Sequence, residues 1–134
     1  MTAKTKRIAY CATTGFAAIA LSAIGAADLL RVPAIMESLA HLGYPVYFAT
    51  ILGTWMLLGS AAIVAPGLPG VKEWAYAGMF FTLTGAALSH AASGDPLGKI
   101  LVPLVLLGAV IASWALRPVR GTLPAAGFAA PRAA

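Results

Sequence analysis

The chain has 134 residues, of which 60% are hydrophobic and 10% charged, and it carries a net charge of +5. Soluble domains hold about 45–50% apolar and ~25% charged residues, so this composition offers too little polar surface to solvate a core and excludes an ordinary soluble fold. The positive charge lies in short segments flanking long apolar stretches, which is the pattern of membrane topology and not the basic face of a nucleic-acid binder.

The first apolar stretch covers about residues 8–27 and follows Lys4, Lys6 and Arg7. Its length approximates the ~20 helical residues that cross ~30 Å of hydrocarbon. The basic start and Gly25-Ala26-Ala27 resemble a signal peptide, but the run exceeds the roughly 7–15 residues of such a core; a retained membrane helix is expected. Cys11 is the single cysteine, so dithiol chemistry within this chain is excluded and a small packing residue is expected. Next comes the longest connection, 28–45. Pro33 suits the first turn of a helix, Ile35, Met36, Leu39, Ala40 and Leu42 share one face, and Gly43 ends the element. A short amphipathic helix on the membrane surface is predicted there.

The second stretch, 46–65, is joined to the third, 74–93, by the turn Pro66-Gly-Leu-Pro-Gly70, with Lys72 and Trp74 as interfacial residues. Ser93-Gly-Asp-Pro96 turns the chain into the fourth, 100–116. Residues 118–134, rich in Ala, Pro and Gly, are expected to be a disordered cytoplasmic tail. Residues 1–117 are thus predicted to form one all-α unit, an integral membrane four-helix bundle with a short amphipathic extracytoplasmic helix between spans one and two. Small residues, Ala18, Ser22 and Ala26 on the first span and Gly78, Thr82, Gly85 and Ser89 on the third, are expected to let helices approach closely.

Lys4, Lys6, Arg7, Lys72, Arg117, Arg120 and Arg132 fall on one side of such a bundle, and only Arg31 and Lys99 on the other. The positive-inside rule then places both termini in the cytoplasm. So marked an asymmetry, with no ionisable group at mid-depth, disfavours a dual-orientation exporter.

Most remaining polar chemistry gathers at the extracytoplasmic end. His90 lies one turn inside the third span and Asp95 just beyond it, an imidazole–carboxylate pair suited to proton transfer, with Asp28 as a further orienting carboxylate. Arg31, Glu37, His41, Ser89 and Lys99 complete a candidate ligand-binding rim. Each also has a plainer reading. Asp28 with Arg31, and Glu37 with His41, have the spacing of local helical pairs; Ser89 and His90 suit a helix terminus; Lys99 suits an interface. No cluster has the spacing of a metal site, and no glycine loop suits phosphate. A haem held by His41 and His90 is disfavoured, because only His90 lies on a predicted span.

The segments Leu42-Gly-Tyr-Pro-Val-Tyr-Phe48, Leu52-Gly-Thr-Trp-Met-Leu-Leu-Gly59, Pro66-Gly-Leu-Pro69, Lys72-Glu-Trp-Ala-Tyr-Ala-Gly78 and Leu83-Thr-Gly-Ala-Ala87 through His90 resemble the DoxX-like family of small four-helix membrane proteins. The resemblance runs from about Leu39 to Pro118. It implies a bacterial inner-membrane protein, with a quinone as the cofactor class that some relatives suggest. It also implies a lysine where Met56 stands and an aspartate where Thr82 stands. Replacing both members of a buried ion pair is far less costly than losing one, so Met56 and Thr82 read as a joint replacement within a ligand-binding interior.

Two functions stay open at this point. One is a small-molecule-binding or accessory subunit in the lipid bilayer, linked to a redox system, with a membrane-protein partner or a second copy. The alternative is a membrane enzyme of isomerase or hydrolase type, using His90, Asp95 and Asp28 on a small lipophilic substrate.

Overall fold

The computed structural model describes residues 1–118. Among them are five helices and no strand: α1 (Ala3–Leu29), α2 (Pro33–His41), α3 (Tyr47–Val64), α4 (Pro69–Ala92) and α5 (Leu97–Leu116). Helices α1, α3 and α5 are each long and apolar enough to cross a membrane, which makes this a multi-pass membrane protein. α4 is long enough, at 24 residues, but falls short of the others in apolarity. Glu73, Tyr76, Thr82, Thr84, Ser89 and His90 lower its hydropathy. The tail expected from Pro118 onward lies, apart from Pro118 itself, outside the described residues.

Several helices begin earlier than the apolar stretches do. Thr2 caps α1 by accepting a hydrogen bond from the backbone N–H of Thr5, which carries Lys4, Lys6 and Arg7 onto the first turns. Pro69 starts α4, because a first-turn proline forgoes no hydrogen bond. α2 starts at Pro33 and ends before Gly43, whose φ of +82° is the left-handed cap expected of glycine. On α2 Leu39 is buried and Ile35 and Met36 are half-buried, while Glu37, Ala40 and His41 are exposed.

α1 packs against α3 and α5, and α4 packs against α5 and α3, with the α1–α3 contact the most extensive. The reason for that contact is Gly25 facing Gly53. A Cβ on Gly53 would stand 2.6 Å from the Gly25 carbonyl oxygen, and one on Gly25 would stand 3.0 Å from the Gly53 oxygen. By contrast, a Cβ at Gly78 or Gly85 would meet nothing within 4 Å. The close-packing stripe expected on the third span is therefore not a helix–helix seam. The seam uses Gly25 and Gly53, since only a missing Cβ lets two backbones come this near.

Inside, Ala17, Leu21, Ile63, Met79, Leu83 and Val110 form the core. Outside, Ile19 is 75% exposed, Phe81 71% and Val105 63%. Large apolar side chains pointing outward on successive helices are what a bilayer solvates and water does not.

Candidate functional site at the α2 end

Asp95 is the centre of the polar rim. Residue 93 closes α4, Gly94 takes a φ of +70°, and the Asp95 N–H bonds back to the His90 carbonyl at 3.0 Å. This cap folds the chain over the last turn, so two residues five apart in sequence meet. Asp95 Oδ2 accepts from His90 Nδ1 at 2.8 Å. Its Oδ1 faces His41 Nε2 at 3.1 Å and the Lys99 ammonium at 3.3 Å. The carboxylate thus ties the end of α2 and the end of α4 to the start of α5. Its side chain is 6% exposed, whereas those of His41 and Lys99 are 49% and 52% exposed. A matching cap ends α2, where the Tyr44 N–H bonds to the Leu39 carbonyl at 2.9 Å. Tyr44 then reaches Ser89, hydroxyl to hydroxyl, at 2.7 Å.

The hydrogen bond from His90, followed by that from Lys99 and the positive charge of His41 and Lys99, holds the Asp95 carboxyl below the usual carboxylate range. A carboxyl so depressed stabilises the fold fully above its unfolded value of about 3.9 and loses that contribution as pH falls through the lower folded value. Amide exchange in α2, corrected for intrinsic rates, should therefore stay flat from pH 8 to pH 5 and rise only below about pH 4. Asp95→Asn should raise it at every pH. Loosening of α2 near pH 6 in the unmodified protein would contradict this account of the rim.

The other expected rim residues lie apart from this cluster. Asp28 is buried, 4% exposed, and its carboxyl has no hydrogen-bond or ion-pair partner among the described residues. It packs on α3, its Cβ 3.0 Å from the position a Cβ at Gly53 would take. The local pair expected with Arg31 does not form, because Arg31 serves the end of α1: it adopts a φ of +51°, and the Val32 N–H bonds to the Ala27 carbonyl at 3.0 Å. Nor does Glu37 pair with His41; Glu37 is exposed while His41 turns to Asp95. Met56 and Thr82 line a cleft of about 370 Å³ between α3 and α4, with Leu52, Trp55, Trp74 and Gly78 among its other walls. Among the described residues no three His, Cys, Asp or Glu side chains group to hold a metal ion.

Sequence spacing missed a second polar centre toward the opposite end. Ser113, fully buried, bonds to Thr14 at 2.6 Å and to Tyr76 at 2.7 Å, hydroxyl to hydroxyl. Beside it Glu73 accepts from Trp114 Nε1 at 3.0 Å and from Arg117. These contacts join α1, α4 and α5 across up to 99 positions of sequence, so no local pattern announces them.

A family model described as the DoxX-like family matches residues 12–113. The chain belongs to the DoxX-like family. The matched segment of this DoxX-like protein contains His41, His90, Asp95 and Lys99 as well as Thr14, Tyr76 and Ser113, and it stops short of Arg117. Neither a curated protein nor a solved structure matches the chain.

Proposed function

We propose that this DoxX-like protein is a four-span bundle of the bacterial inner membrane, with both termini cytoplasmic, that binds a small lipophilic molecule and acts as an accessory subunit to a redox system. The observation that carries the reading is the α3–α4 cleft. Its lining contains no ionisable side chain, and Thr82 supplies the one side-chain hydroxyl. Such a wall suits an apolar body with one oriented polar atom. A quinone fits it as a lipophile: Thr82 can hold one carbonyl oxygen, and no acid or base there supplies protons. α4 counts as the fourth span because its lower apolarity is offset by its packing against α3 and α5.

A second reading, acid–base catalysis on a lipophilic substrate, draws on the 2.8 Å contact of Asp95 with His90 Nδ1. A carboxylate bonded to one ring nitrogen orients the other as a base. One experiment separates the two. Quenching of tryptophan fluorescence by a decyl-substituted benzoquinone in maltoside micelles should be saturable. Gly78→Leu, which projects a side chain into the cleft, should weaken it by about tenfold, while His90→Gln leaves it unchanged. Equal binding to Gly78→Leu and the unmodified protein removes the cleft reading. Loss in His90→Gln alone moves the ligand to the rim and favours the second.

A further inference from the structure

α4 and α5 open another cleft, of about 350 Å³, at the end of the molecule away from α2. Its lining differs in kind from that of the α3–α4 cleft. Tyr76, Phe80 and Trp114 contribute aromatic rings, Glu73 contributes a carboxylate, and Val110 and Ile111 complete an apolar wall. Three rings and one anion around a cavity are complementary to a bulky, weakly hydrated cation. The ring faces attract positive charge, more strongly when water is excluded, and the carboxylate supplies the counter-charge.

The protein already places a cation on part of this surface. The Arg117 guanidinium carbon stands 5.9 Å from the centroid of the Tyr76 ring, and the same group bonds to Glu73. Glu73 Oε2 also accepts from Trp114 Nε1 at 3.0 Å, which holds the carboxylate at the cleft wall. Arg117 is the cap residue at the end of α5, so it is a tethered occupant of the polar end, held by the chain at a fixed place.

We propose that the α4–α5 cleft binds a membrane-partitioned organic monocation, an ammonium bearing apolar substituents, with Glu73 as its counter-charge, Tyr76, Phe80 and Trp114 as its ring contacts, and Arg117 as the internal competitor it must outcompete. This site shares no lining residue with the α3–α4 cleft, so its test stands apart from that of the quinone probe.

The probe is radiolabelled benzyltrimethylammonium, equilibrated by dialysis against the full chain in dodecyl maltoside, a detergent without charge. Binding should be saturable. Glu73→Gln should weaken it by about tenfold, and Arg117→Ala should tighten it by a factor of about three to ten. A gain in affinity cannot arise from misfolding, so the arginine variant keeps the test sound even if the glutamine variant loosens the helix pair. Neopentylbenzene, the uncharged isostere, should not compete at equal concentration. The proposal is overturned by any of three results: no saturable binding to either the unmodified protein or Arg117→Ala, unchanged affinity in both variants, or equal competition by the uncharged isostere.

Discussion

Replacing Gly53 by alanine should destabilise the protein more than any other single methyl addition in the membrane-spanning helices. The new Cβ would stand 2.6 Å from the Gly25 carbonyl oxygen, 2.8 Å from Leu29 Cγ and 3.0 Å from Asp28 Cβ. Leu29 can rotate away, but the backbone oxygen can move only if α1 moves with it. Overpacking of this kind costs about 1–3 kcal/mol, which outweighs the roughly 1 kcal/mol that alanine gains over glycine in a helix. A net loss of up to about 2 kcal/mol is expected, read as a lower midpoint of thermal unfolding in detergent. Gly25→Ala should cost less, since its nearest approaches are 3.0 Å. Gly78→Ala and Gly85→Ala, where the added carbon meets open space, should be neutral or slightly stabilising. Equal effects at all four positions would mean that the Gly25–Gly53 crossing does not set the α1–α3 distance.

Ser113→Ala should produce the second largest loss. The serine is the shared partner of two buried hydroxyls, those of Thr14 and Tyr76. Removing it leaves both without their bond. Thr14 can turn to the carbonyl one helical turn back, as threonine in helices does. Tyr76, only 4% exposed, has no such option within its own helix. An orphaned buried hydroxyl costs about 1–3 kcal/mol in water-soluble proteins. Hydrogen bonds between membrane helices average nearer 0.6 and reach about 1.7 kcal/mol, because the unfolded chain in lipid also finds partners. The lower range decides here, and about 0.6–1.7 kcal/mol is expected. Tyr76→Phe in the Ser113→Ala background should then cost less than in the unmodified protein. Strict additivity in that double-mutant cycle would rule out the shared bond.

Much of the geometry of the candidate site was legible from local spacing, and the reason is visible at His90 and Asp95. A glycine after the last helical turn reverses the chain within five residues, so sequence neighbours become spatial ones. Lys99, four residues beyond Asp95, joined them by the same locality. Helical spacing offers His41 its neighbour at i−4, Glu37, before any distant partner, whereas in the fold it faces Asp95. Spacing likewise offers Arg31 to Asp28 as a local charge, whereas its backbone carries the turn that ends α1. In each case the local rule named an available neighbour, and the packing of helices turned the residue elsewhere.

Asp28, Met56 and Thr82 illustrate a different gap. All three are in the sequence as polar or flexible residues near an apolar run, but whether each faces lipid, a cleft or another helix depends on rotation about the helix axis. Periodicity leaves that rotation undetermined where nearly every position is apolar. The glycine crossing settled it for two of them: once Gly25 meets Gly53, Asp28 and the Cβ of Met56 are carried to the α1–α3 contact, and Met56 with Thr82 of α4 lines the cleft beside it.

The sequence alone determined that the chain is helical and membrane-embedded, where its turns fall, and that His90 and Asp95 lie together at one end. Those properties follow from composition, stretch length and glycine or proline at single positions. Only the tertiary structure decided that Asp95 joins three helices, that Ser113 links Thr14 to Tyr76, and which side chains line the two clefts. Such contacts depend on the facing and depth of helices far apart in the chain, and in lipid those are set by small-residue packing and buried hydrogen bonds, which hydropathy does not record.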